Sequence, residues 1–138
     1  MNLGGSAIDI ARAFLVEMQA CVRAVDYARA QPLFGEDVVA FGTYAAVVSG
    51  RERLEQQQWR NIWPAIRDFT FRLEELHCLG TDQMLCVVVP WDSLGRRDSG
   101  ETFARPGRAT LLLEPRGERW VAVHSHFSVA PAPPQPAI

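Results

Sequence analysis

A chain of 138 residues falls in the usual range for one domain built round one core. Its formal net charge is −2, and every one of its basic residues is arginine, a pattern read as codon bias rather than as anion clamps; with no basic stripe, a nucleic-acid partner is not expected. No window approaches the roughly 18 apolar residues of a membrane span, and the first residues lack the basic start of a secretion signal, so a cytoplasmic protein with no membrane partner is expected.

Ser6 with Asp9 three positions on is a capping-box pattern, and Ile8, Ala11, Leu15, Met18, Val22 and Val25 then recur at three-four spacing, which predicts a long amphipathic helix. Asp26 caps a second, shorter helix that ends near Pro32 to Gly35, before the β-branched pair Val38-Val39. Phe41 to Thr43 and Ala45 to Val48 flank a turn and predict a short hairpin. Ser49 with Glu52 reads as another capping box, opening a helix that carries Leu54, Trp59, Ile62 and Trp63. That helix should stop before Pro64, because the residue preceding proline disfavours helical backbone.

From Phe69 the period changes to two, with Phe69, Phe71 and Leu73 alternating with polar residues, and a strand is predicted. Gly80 to Asp82 is a turn, Met84 to Trp91 an apolar strand, and Ser93 to Gly100 a polar loop. Two further strands, Arg108 to Glu114 and Arg119 to Val129, meet at the turn Pro115 to Glu118. The domain is expected to span 1–130 and the proline- and alanine-rich tail 131–138 to be disordered. Cys21, Cys78 and Cys86 lack metal-ligand or CxxC spacing and read as reduced, mostly buried thiols, so no disulfide, metal or other cofactor is expected. Helices followed by antiparallel strands make an α+β fold. A sheet apolar on both faces needs cover on both, the helices on one and a second copy on the other, so a homodimer is expected.

Gly42-Thr43, the run Val48 to Glu52, Arg108-Ala109-Thr110 and the run Arg119 to Ser128 together resemble the SnoaL-like branch of the NTF2-like superfamily. The last run, continued from Ser128 to Pro131, has a Trp, His-x-His, Ser and Pro pattern that is also similar to the association domain of calcium/calmodulin-dependent protein kinase II. The resemblance covers about residues 8 to 131. It implies an NTF2-like (cystatin-like) cone, with N-terminal helices packed against a strongly curved, mixed, mostly antiparallel sheet and an apolar cavity at one end. It does not imply one reaction, since the superfamily holds isomerases, dehydratases, cyclases and assembly domains.

On an unbroken last strand, Trp120, Ala122, His124, His126 and Ser128 share one face, and Val121, Val123, Phe127 and Val129 the other. The resemblance implies that the histidine face lines the pocket, with His126 as the acid-base residue and His124 as a ligand contact. The alternative is that each imidazole bonds a neighbouring strand or the dimer interface. Arg108 and Thr110 share a face of the adjacent strand, where Arg108 offers a planar fork to a carboxylate or enolate, or else pairs with Glu101 or Glu114. Trp59, Trp63, Tyr44 and Trp91 supply flat walls for a ring-shaped ligand, or plain core. Asp92 at a strand end reads as a solvated carboxylate.

Ketosteroid-isomerase chemistry needs a carboxylate base where this chain has Phe41, and no Asp or Glu occurs between Asp37 and Glu52, which argues against steroid isomerisation. His-x-His lacks an identifiable third ligand, so no metal site is expected. The expected function is a pocket protein for a small, partly apolar, anionic or carbonyl-bearing ligand, with His-assisted dehydratase-, cyclase- or isomerase-like chemistry. The alternative is a non-catalytic homo-oligomeric assembly module.

Overall fold

In the computed structural model, which describes residues 6–132, Ser6 caps the first helix as its spacing predicts. Its hydroxyl accepts the Asp9 N–H at 3.3 Å and opens α1, Ala7–Ala24. The apolar stripe of α1, including Phe14, Leu15, Met18 and Val22, is buried. The Asp26 carboxylate caps α2, Tyr27–Ala30, by accepting the Arg29 N–H at 3.1 Å. A 3-10 turn, Gln31–Leu33, feeds β1, Phe34–Phe41, which begins earlier than the expected Val38.

The second expected capping box, at Ser49, does not form. Ser49 belongs to β2, Val48–Ser49, and Gly50 stands at the helix start with φ 98° and no side-chain capping bond. The helical segment is α3, Arg51–Leu54, a π turn, Glu55–Trp59, and α4, Arg60–Ile62. It gives way to a 3-10 turn, Trp63–Ala65, where Pro64 predicts the stop.

The remaining strands are β3 Arg67–Phe71, β4 His77–Gly80, β5 Leu85–Arg96, β6 Thr102–Ala104, β7 Gly107–Arg116 and β8 Arg119–Val129. β4 and β6 are additional to the expected strands, and β5 runs past Trp91 into the segment read as a loop. Sheet order is β2-β1-β8-β7-β5-β3, with β4 and β6 also on β5. β1 runs parallel to β8 and every other pairing is antiparallel, so the sheet is mixed and mostly antiparallel. Its inner face presents Val38, Val87, Val89, Leu111 and Leu113 to the helices, all fully buried. Each such side chain contributes about 1.5–3 kcal/mol by leaving water.

One irregularity matters for function. Leu112 pairs with His124 but Leu113 pairs with Ala122, so Val123 is an extra residue on β8, a β-bulge. A one-residue slip exchanges the faces. Trp120 and Ala122 point inward before the bulge, Ser125 and Phe127 after it, and His124, His126 and Ser128 turn outward. The single face expected for Trp120 through Ser128 is therefore split.

Of the tail expected to be disordered, residues 133–138 lie outside the described residues, as do 1–5. Among the described residues, no helix is long and apolar enough to cross a membrane, and no group of His, Cys, Asp or Glu is arranged to hold a metal ion. The cysteines are free, and burial pushes the Cys21 and Cys78 thiols up from their ordinary range.

Candidate functional site

Between the helical segment and the inner sheet face lies an apolar hollow of about 50 Å³, room for about one or two waters. One wall is a ring stack: Trp59 and Trp63 lie parallel at 4.7 Å, Tyr27 continues the stack at 5.5 Å from Trp63, and Arg60 sits 4.3 Å over Tyr27. The i, i+4 spacing of the two tryptophans puts both on one side of the helical segment. The facing wall is Phe69, Trp91 and Phe127, with ring centroids 5.5 Å apart for Phe69–Trp91 and 6.4 Å for Trp91–Phe127. Trp91 fits because Gly107 opposite it has no Cβ, which would collide with the indole.

Four polar side chains join this lining: Thr43, Gln58, Arg105 and Ser125. Arg105 follows β6, and both of its backbone polar groups are tied to buried Ser93, whose carbonyl accepts the Arg105 N–H at 2.8 Å and whose hydroxyl donates to the Arg105 carbonyl at 2.7 Å. Its guanidinium is partly buried, 5.5 Å from the Trp91 ring, and makes no hydrogen bond or ion pair with the described residues. Burial lowers its pKa, yet a guanidinium starts so high that it stays charged. The Trp91 face offsets only part of the cost of drawing this cation to the edge of an apolar hollow, and an anionic ligand group would offset more. Ser125 is buried, and its hydroxyl has no partner among the described residues.

Trp59, Trp63 and Trp91 line the hollow as expected. Tyr44 does not, its side chain being 66% exposed. His124, His126, Arg108 and Thr110 are likewise absent from the lining, because the bulge and the β7 register put all four on the outer face. The shared hollow expected for His126 and Arg108 is thereby corrected. There, His124 Nδ1–H donates to the Val39 carbonyl at 2.6 Å, and both imidazoles meet the Phe41 ring edge-on at 5.1 Å. Arg108 donates to the Ser128 hydroxyl at 2.8 Å and pairs with neither Glu101 nor Glu114. Asp92 accepts a forked pair from Arg72 at 2.7 and 2.8 Å, which holds its pKa below the usual carboxylate range. Arg105, Gln58, Thr43 and Ser125 carry no spacing in the sequence that marks them as site residues. A cation beside proline in Arg105-Pro106 was the one legible sign of a fixed arginine.

A helix-packed, curved mixed sheet closing on an apolar hollow defines an α+β cone of the NTF2-like, cystatin-like class. The family model described as SnoaL-like domain matches residues 11–133, and the chain belongs to that family. No curated protein matches the sequence. A ketosteroid isomerase-like protein from Erwinia carotovora atroseptica is similar in structure with TM-score 0.78 at 11% identity, over 93% of this chain and 99% of that one. A candidate dehydratase of the NTF2-like family from Streptomyces avermitilis is similar with TM-score 0.76 at 16% identity, over 91% and 98%. A candidate calcium/calmodulin dependent protein kinase II association domain from Xanthomonas campestris is similar with TM-score 0.71 at 20% identity, over 95% and 92%. Identities this low carry the fold and not the reaction.

Proposed function

We propose that the protein binds a small, flat, apolar carboxylate, with Arg105 as its charged anchor and the two aromatic walls as its clamp. The observation that carries this reading is the unpaired, partly buried guanidinium beside Trp91 at the edge of an otherwise apolar hollow. A volume of about 50 Å³ is far too small for a steroid nucleus, and a single ring enters only if the two aromatic walls part. Dehydratase or isomerase chemistry needs a proton carrier. The lining side chains include no His, Asp, Glu, Lys, Tyr or Cys, which favours binding over acid-base turnover.

Titration of intrinsic tryptophan fluorescence with benzoate, phenylacetate and cinnamate, each against its amide, tests the anchor. The acids are expected to bind more tightly, and Arg105→Ala to weaken them by about ten- to a hundredfold, the worth of a charged hydrogen bond, while leaving the amides unchanged. Equal binding of acids and amides, or an unaffected variant, would defeat the reading.

The outer sheet face supports a second element of the proposal, a homodimer. Two rows cross it in register, Leu79–Cys86–Leu112–His124–Val39 and Val88–Thr110–His126–Phe41, and neither contains an Arg, Asp or Glu. Val39, Phe41 and Val88 are each more than a third exposed, and ion pairs flank the rows, Arg72 with Asp92 and Arg116 with Asp37 and Glu114. A face with no charge in its centre can meet a second copy about a two-fold axis without opposing like charges. The free thiols fit a reducing compartment such as the cytoplasm.

A further inference from the structure

We infer that Gln58 and Thr43 form a second polar subsite in the hollow, so that the ligand carries an acceptor oxygen, a ring carbonyl or phenolate, in addition to its carboxylate. The inference rests on the Arg105 reading and adds the second functional group.

Gln58 is buried, 8% exposed, inside the π turn. The wider turn lets it face inward beside Trp59, whereas adjacent residues of a regular helix diverge by about 100°. Its Oε1 accepts the Tyr44 N–H at 2.9 Å and the Ala45 N–H at 2.8 Å. Two backbone donors identify that atom as the oxygen and occupy both its lone pairs. The amide nitrogen must then be the donor, and it reaches Thr43 Oγ1 at 2.9 Å. Gly42 lets the amide in this close, since a Cβ there would collide with it.

This arrangement leaves two protons over. The second Nε2 hydrogen has no acceptor among the described residues, and neither has the Thr43 hydroxyl, which uses its oxygen to accept from Gln58. Both residues line the hollow, on the wall made by the β1–β2 connection, while Arg105 belongs to the Trp91 wall. A donor left unmet in apolar surroundings is costly, and no lining side chain carries a carboxylate or imidazole to meet it. The hollow is thus rich in donors and lacks strong acceptors, and a ligand bearing two separate oxygen groups is its complement.

The test is a pair of near-isosteric acids, meta- and para-formylbenzoate against the matching methylbenzoates, with the formylbenzamides as controls, titrated into the wild type and into Thr43→Val and Gln58→Glu. Thr43→Val removes only the hydroxyl, and Gln58→Glu keeps the acceptor for Tyr44 and Ala45 while removing the amide donor; melting curves check that both fold. At least one formyl acid is expected to bind about tenfold more tightly than its methyl partner to the wild type, and the gap to shrink to about twofold in either variant. No gap in the wild type, or a gap that survives in both variants, overturns the second subsite. If the acids still outbind the amides, the anchor at Arg105 stands alone; if no acid binds, both fall.

Discussion

Val25 closes α1 in the left-handed region, at φ 52°. The Asp26 N–H reaches the Cys21 carbonyl at 2.9 Å and the Val25 N–H the Val22 carbonyl at 3.1 Å, a Schellman closure whose key position favours glycine. A β-branched residue there carries strain of about 1–2 kcal/mol. Val25→Gly is therefore expected to raise stability by about 1 kcal/mol, seen as a higher urea midpoint at unchanged slope, while Val25→Ala, which keeps a Cβ, should gain little. The same scale separates Arg105 from Arg108. Both look alike in sequence, and the pattern favours Arg108, which sits in a strand between apolar residues. Which of them reaches the hollow depends on the tie between Ser93 and the Arg105 backbone across the β5–β6 turn, and the sequence of Ser93 reads as loop.

At the scale of elements, what the sequence showed and what it hid have one cause: local patterns show in sequence and irregularities in them do not. The caps at Ser6 and Asp26 and the stop at Pro64 are short-range patterns and form where expected, and the apolar runs of β7 and β8 form strands there too, while β5 runs on through the polar segment read as loop. Trp59, Trp63 and Trp91 were legible for the same reason, as spacing and apolarity. The bulge at Val123 carries no such mark, since it lies within a continuous run of strand-forming residues and is set by the partner strand. Deleting Val123 would remove the extra residue and leave β8 in strict alternation with β7, Ala122, Ser125 and Phe127 inward and His124 and His126 outward as they are now. Such a deletion is therefore expected to fold, losing only the local bend and about 1–3 kcal/mol of stability in urea melts. A product that fails to fold would show that the core requires the bend itself and not only the assignment of faces.

Over the whole molecule, the two faces of one sheet serve two different tasks. The inner face makes the hollow, and the outer rows, which hold the histidines, meet solvent unless a second copy covers them. Val88 is the sharpest probe of that cover: it is 38% exposed, stands opposite Thr110 in the same row as His126, and is absent from the lining of the hollow. Val88→Glu adds a charge that an isologous contact would bring close to its own copy and bury, a combination worth several kcal/mol against association. The wild type is expected to scatter light as a dimer at micromolar concentration and Val88→Glu as a monomer, with carboxylate affinity changed by less than about twofold since the hollow lies on the other face. A wild-type monomer removes the dimer. A dimer that survives the glutamate moves the contact to another surface, and a carboxylate affinity that collapses with the dimer would mean that the second copy completes the hollow.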